Sequence, residues 1–266
     1  MKSLVRPAGA LLALCLSSAA PAATSILVWP IDPVIEHDES GAAIWLENNG
    51  QSASRIQIRA LRWSQANGTD ELAPQDQIVV SPPAAEIKPG QRQLLRLIRT
   101  VVVQAGKEDA YRILIDEIPS DGVARTVGEG QDGAAASQPA NQGGAGLAFQ
   151  LRYSVPLFVS GQGAWTREDA RKHPDAKAAQ PELSYSIQGK QGQRQLVVRN
   201  TGAVHARLSH VSYAQGGREV WSVPGLLGYV LPGAEMRFDA PAAVQAGGTL
   251  KANINSDRES RTIPGR

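Results

Sequence analysis

The chain has 266 residues, 27 Lys and Arg against 25 Asp and Glu, 42% hydrophobic residues and a single cysteine, Cys15. Charges this evenly balanced argue against general nucleic-acid binding, which needs a net basic surface. One cysteine excludes an internal disulfide framework and any multi-cysteine metal site.

In chain order, Lys2 and Arg6 open a basic start, and residues 8–20 form an apolar run too short to span a bilayer. Ala20-Pro21-Ala22 fits the small-x-small rule for a secretion signal, so residues 1–22 read as a leader removed on export. Leu14, not a small residue, precedes Cys15, which argues against lipidation. No later run is long and apolar enough to cross a membrane, so no membrane insertion is expected after cleavage. Cys15 leaves with the leader, and the mature chain must hold its core by burial alone.

The rest reads as short strands separated by turns. In "AIWLEN", Ile44 and Leu46 share one face and Trp45 takes the other. "RIQIRALRW" puts Ile56, Ile58 and Ala60 together, and "QLLRLIR" and "YRILIDEI" continue the alternation. Asn48-Asn49-Gly50, Asn67-Gly68 and Pro89-Gly90 punctuate the series. Asn67-Gly68-Thr69 also fits a glycosylation acceptor, but a hairpin turn accounts for it as well. Residues 128–146, "GEGQDGAAASQPANQGGAG", have almost nothing to pack, and the strongly strand-forming "LAFQLRYSVPLFV" follows at 147–159. The polar 160–181 stretch, with a weak helical pattern at 166–179 broken by Pro174, reads as a connector. Strand patterns then resume in "LSYSI", "QLVVRN", "RLSHVSY", "EVWSV", "MRFDA" and "LKANI", and the charged tail at 256–266 is expected to fray. The expectation is an all-β chain of two sandwich domains, at 23–160 and 161–266.

Catalytic chemistry finds no constellation. Gly128-x-Gly130-x-x-Gly133 has the spacing of a dinucleotide loop, but no sustained helix follows, and Glu129 and Asp132 would repel phosphate. His205 and His210 are five apart on a strand pattern, so they point to opposite faces and make a poor metal pair. There is no G-x-S-x-G elbow. Asp116 and Glu117 are adjacent and alternate across a strand, which suits surface charge or an interdomain ion pair better than acid–base work. The chain reads as a binding protein, without enzymatic activity, cofactor or metal.

Several segments, in order, resemble one family. "WPIDPVIEHDESGAAIWLENNG", "PPAAEIKPGQRQLLRLIR", "YRILIDEIP" and "LRYSVPLFV" are similar to the first domain of the periplasmic chaperones of the chaperone–usher pathway. "LVVRNTGAVHARLSHV" and "GLLGYVLPGAEMRF" resemble their second domain, and the wording of "WPIDPVIE" and "RYSVPLFV" is similar to the archaic branch. The resemblance implies two immunoglobulin-like β-sandwich domains arranged as an L, with a basic cleft between them. It implies pilus or fimbrial subunits as clients, an outer-membrane usher as the receiving partner, and the periplasm as the compartment.

It also implies that 147–159 is a strand lent to a subunit that lacks its own last strand. Leu147, Phe149 and Leu151 share one face, and each, fully buried in a client, would contribute roughly 1.5–3 kcal/mol, or about 5–9 kcal/mol together before ordering costs. Tyr153, Val155, Leu157 and Val159 suit core or interdomain packing, and a plain core role for the whole segment is the competing reading. The family holds the client's terminal carboxylate with a lysine and a first-strand arginine. The lysine position falls on Arg152. The first strand departs from the pattern, offering Asp32 and Pro33, so Arg96 or Arg99 is the substitute expected. Ion pairing to Asp116 or Glu117 accounts for these arginines equally well. The alternative function is a structural or adhesive component of a surface fibre.

Overall fold

In the computed structural model, residues 26–118, 151–164, 178–190 and 192–266 are described, and among them every helix-or-strand element is a strand. The 1–22 leader, the 128–146 stretch, Leu147, Phe149 and nearly all of 166–179 lie outside these residues.

The first ten strands are β1 (Ile26–Trp29), β2 (Val34–Ile35), β3 (Gly41–Asn48), β4 (Ser54–Ala66), β5 (Thr69–Ala73), β6 (Ile78–Ser81), β7 (Ala84–Ile87), β8 (Arg92–Arg99), β9 (Glu108–Ile118) and β10 (Arg152–Ser160). They form two sheets, in the orders β1-β3-β8-β6 and β2-β10-β9-β4-β5, with β7 on β4. The alternation read from sequence is the packing observed. Ile44, Leu46, Ile56 and Ile58 are buried between the sheets with Leu95, Leu97, Ile113 and Ile115, whereas Trp45 faces outward. Asn67 and Gly68 both have positive φ, 55° and 84°, and close the β4–β5 hairpin as a primed turn.

The second sandwich comprises β11 (Leu183–Gln188), β12 (Arg194–Asn200), β13 (Ala206–Gln215), β14 (Arg218–Val230), β15 (Glu235–Ala240), β16 (Thr249–Ile254) and β17 (Arg261–Ile263). Its sheets run β11-β12-β15 and β14-β13-β16-β17 around a separate core of Leu196, Val198, Leu208, Tyr213, Leu250 and their neighbours. The expectation of a frayed tail fails here. Residues 261–263 pair with β16, and Ile263 is 2% exposed. Tyr185 N–H donates to the Pro264 carbonyl and Arg266 N–H to the Tyr185 carbonyl, so the tail ties the two sheets together. Its single apolar residue outweighs its charges, which sit on the solvent face.

Both sandwiches use one device that the sequence repeats as Asn-x-Gly. Buried Asn48 donates to the Ser52 and Ile87 carbonyls and accepts from Gly50 N–H. Buried Asn200 donates to the Val204 and Val230 carbonyls and accepts from Gly202 N–H. Each amide satisfies main-chain groups at a strand end that would otherwise be buried without partners.

Candidate functional site

β10 is the strand on which a function can be built, because its outer edge is open among the described residues. It pairs antiparallel with β9 from Arg152 to Ser160, but on its other side, among the described residues, it meets only β2, in parallel, at Phe158 and Val159. Glu117 N–H donates to the Leu151 carbonyl, which makes Leu151 and Glu117 a hydrogen-bonded pair. Antiparallel ladders alternate, so the main-chain groups of 151, 153, 155 and 157 turn toward β9 and those of Arg152, Ser154 and Pro156 toward the open edge. Phe158 continues that phase, its N–H reaching the Pro33 carbonyl beside β2. Pro156 sits where a residue without N–H costs nothing to the sheet.

The opposite sheet ends on the same side. Among the described residues β1 pairs only with β3, and the chain passes directly from β1 to β2, from one sheet's edge to the other's. The sandwich is therefore bordered here by two strand edges, β1 and β10. Val155, Leu157 and Val159 are buried in the core and Tyr153 packs against it. Leu151 has the same parity but is 39% exposed, past the end of that packing.

The outer face of β10 carries the charge. Arg152 Nε donates to Asp116 Oδ1, its cross-strand neighbour, and Arg59 Nη2 donates to Asp116 Oδ2 at 2.8 Å. Burial alone would raise the Asp116 carboxyl, but hydrogen bonds and charge from Arg152 and Arg59 outweigh it and hold its pKa below the ordinary carboxylate value. Four residues along, Pro156 pairs with Arg112, whose guanidinium lies 3.6 Å from the Trp63 ring centroid and 5.2 Å from that of Tyr229, with Asp70 at 3.9 Å. Burial lowers the Arg112 pKa, partly offset by Asp70 and then Tyr229.

Beyond Arg112 the same face meets the second sandwich. Val34, Trp63, Ala110 and Phe158 pack on Tyr229 and Leu231. Gln65 Nε2 donates to the Tyr229 carbonyl at 3.0 Å, and Leu231 N–H donates to Gln65 Oε1 at 2.8 Å. The Arg237 N–H reaches the Gly68 carbonyl at 3.3 Å.

Of the anchor residues read from sequence, Arg152 lies on this face. Arg96 and Arg99 lie on β8, in the other sheet; Arg96 is exposed there, and Arg99 donates to the His37 carbonyl at 2.5 Å. Asp32 lines a cavity of about 80 Å³ between the sandwiches, with Phe158, His205, Arg207 and Tyr229. Arg59 and Arg112 were not singled out by sequence. Their alternation with Ile58 and with Tyr111 and Ile113 marked them as outward-facing, but nothing local showed that β4, β9 and β10 are neighbours. Of the two readings of Asp116 and Glu117, surface charge or an interdomain ion pair, the described residues show no interdomain bond at either: Glu117 accepts from Ser54 Oγ at 2.8 Å and Asp116 binds arginines of its own sandwich, while Glu108 meets His205 across the interface. Among the described residues, no group of three or more His, Cys, Asp or Glu is placed to hold a metal ion.

Among the described residues, the two β-sandwiches carry an unpaired strand edge beside an interdomain face, and an unpaired edge can accept a further strand. The profile described as "Pili and flagellar-assembly chaperone, PapD N-terminal domain" matches residues 33–164. The chain is 30% identical, with a TM-score of 0.68, to a solved structure from Acinetobacter baumannii, the CsuC–CsuE chaperone–tip adhesion subunit pre-assembly complex of archaic chaperone–usher Csu pili; the match covers 91% of this chain and 99% of that one. The E. coli chaperone DraB is 16% identical at a TM-score of 0.55, covering 91% and 97%, and a structure of the Salmonella enterica SafA pilin with the SafB chaperone is 17% identical at 0.55, covering 92% and 97%. No curated protein sequence matches the chain significantly. The chain belongs to the PapD-like pilus-assembly chaperone family.

Proposed function

We propose that this protein is a periplasmic chaperone that stabilises newly exported pilus subunits by lending them a strand, and then delivers them to an outer-membrane usher. The observation that carries this reading is the edge of β10 that is open among the described residues, running from Arg152 through Pro156 opposite the likewise unpaired edge of β1. An exposed edge is normally blunted because it invites pairing; a protein that keeps one has a use for it. Leu151 continues the apolar face past the core, and Leu147 and Phe149 extend the same alternation on the N-terminal side. The relative solved with a tip adhesion subunit and the one solved with a pilin support a subunit as the partner. The subunit's terminal carboxylate is received on the outer face of the same sheet, where Arg152, Arg59 and Arg112 stand.

The test is co-expression with pilus subunits, followed by recovery of complexes from the periplasm. One-to-one complexes, with the protein absent from finished fibres, are expected. Phe149→Asp should leave the chaperone folded and abolish those complexes, since a carboxylate in an apolar groove costs several kcal/mol. Complexes at the wild-type level with Phe149→Asp would overturn the lent strand, and recovery of the protein within fibres would make it a structural subunit.

A further inference from the structure

We propose that Pro156 is a stop that limits how far a client strand can run along β10, and so selects clients by where their chain ends. The stop rests on the chaperone reading and names the residue that fixes the register within it. The main-chain groups turned toward the unpaired edge belong to Arg152, Ser154, Pro156 and Phe158, and they are not equivalent. Arg152 and Ser154 are exposed, and each turns an N–H and a carbonyl outward. Pro156 is buried and has no N–H to offer. The Phe158 N–H is already given to the Pro33 carbonyl, where β2 takes over the edge. Among the described residues, Ser154 is therefore the last donor open to a client.

The closed end of the edge also has a sign. The cross-strand neighbour of Pro156 is Arg112, whose guanidinium is held over the Trp63 ring. A carboxylate terminus suits that station and an ammonium terminus does not. The client strand then runs in the same direction as β10 and ends beside Pro156. In a parallel ladder, an edge residue donates to the carbonyl of one client residue and accepts from the N–H two residues further on. The client residue that donates to the Ser154 carbonyl would next offer its own carbonyl to the N–H of residue 156, and there is none. In mid-chain that carbonyl is left at a closed interface without a donor. In the last residue it is one oxygen of a carboxylate and can turn to Arg112. An edge proline can also serve only to keep two copies of a protein from pairing. That role would be indifferent to the length of the client.

The experiment co-expresses the full chain with a pilus subunit and with the same subunit carrying two added C-terminal glycines. Mass spectrometry of the periplasmic complexes gives the ratio in which the two are captured. The wild type should favour the native subunit by about five- to hundredfold, the effect of one buried carbonyl left without a donor. Pro156→Ala restores the donor, and that preference should shrink by about fivefold or more. Ser154→Pro moves the last donor back to Arg152 and should shift the preference to a subunit shortened by two residues. A preference that is the same in the wild type and in Pro156→Ala overturns the stop, and self-association of that variant would then leave Pro156 as a guard of the edge. Should Pro156→Ala fold poorly, Ser154→Pro decides: a preference that stays with the native length also overturns the stop. Capture of every length alike by the wild type removes the stop and keeps the chaperone reading, whereas capture of none overturns both.

Discussion

Arg152 illustrates what a single residue's sequence context conveys and what it omits. Its position on a strand and its outward direction were legible from the alternation around Leu151 and Tyr153. Its partner was narrowed to two adjacent carboxylates, and only pairing between β9 and β10 decides that Asp116, not Glu117, meets it. Arg59 could not be linked to them, because it is brought there by β4 from 57 residues away. The three form a bridge in which one buried carboxylate is shared by two guanidiniums, leaving a net positive charge on this face. Asp116 is held below its ordinary pKa, so it contributes stability above about pH 3.9, the unfolded value, and that contribution disappears as pH falls through the lower folded value. Asp116→Asn should lower stability at neutral pH by about 1–3 kcal/mol, the range for charge-assisted hydrogen bonds lost from a buried carboxylate, and should flatten the acid limb. Urea unfolding at pH 7 and pH 3 checks this; equal losses at both pH values would mean that the carboxylate's charge does not matter. For testing the anchor, Arg152→Gln is a cleaner substitution than Arg152→Glu, which would set a second anion beside Asp116. It should reduce complex yield with a pilus subunit while leaving the circular dichroism of the free chaperone unchanged, and normal yield would remove Arg152 from the anchor.

At the scale of elements, β10 was legible as a strand and its edge was not. Periodicity reports which side chains share a face, but whether a neighbour pairs along a strand depends on topology. The resemblance alone suggested that this strand is lent. The tail shows the reverse failure: eleven residues of charge and turn formers concealed a three-residue strand, because one buried Ile263 is too little signal for any pattern. The phase of the β9–β10 ladder yields a sharp test. Ser154 N–H points to the open edge and contributes nothing to β9, and its side chain is exposed. Ser154→Pro should therefore leave the first sandwich folded, as edge prolines do, since Pro156 two residues on already lacks that donor. It removes a main-chain bond that a client strand would need, and a lost hydrogen bond at a buried interface costs about 1–3 kcal/mol through the unpaired carbonyl opposite, a five- to hundredfold loss of affinity. Titration calorimetry with a peptide or subunit supplying the complementary strand measures it. Unchanged affinity would show that the client does not pair along this edge.

For the whole molecule the question is what fixes one sandwich against the other. The interface draws on Val34, Trp63, Ala110, Phe158, Tyr229 and Leu231, residues scattered over six elements and loops. Each has a bland local context, so none could be assigned to the interface from sequence; Trp63, for example, reads only as the outward residue of its strand. Of the readings open for Asp116 and Glu117, surface charge or an interdomain ion pair, the structure shows neither carboxylate bonded across the interface among the described residues; Glu108, which does meet the second sandwich, is hidden at a strand's start, where periodicity is silent. Between the two aromatic sets, Gln65 supplies the polar register. Its amide donates to Tyr229 and accepts from Leu231, the residues that flank the end of β14, and it touches neither hydrophobic core. Gln65→Ala leaves the Leu231 N–H and the Tyr229 carbonyl without that partner at a closed interface, at a cost of about 1–3 kcal/mol. Because neither core is altered, the loss falls on docking. Scanning calorimetry should show the two sandwiches unfolding less cooperatively, the weaker one at a lower temperature by roughly 4–8 °C for each kcal/mol lost in a domain of this size. Far-UV circular dichroism should not change. A trace superimposable on the wild type would mean that the aromatic cluster and the Glu108–His205 pair hold the angle without Gln65, and that the hairpin carrying it is free to move.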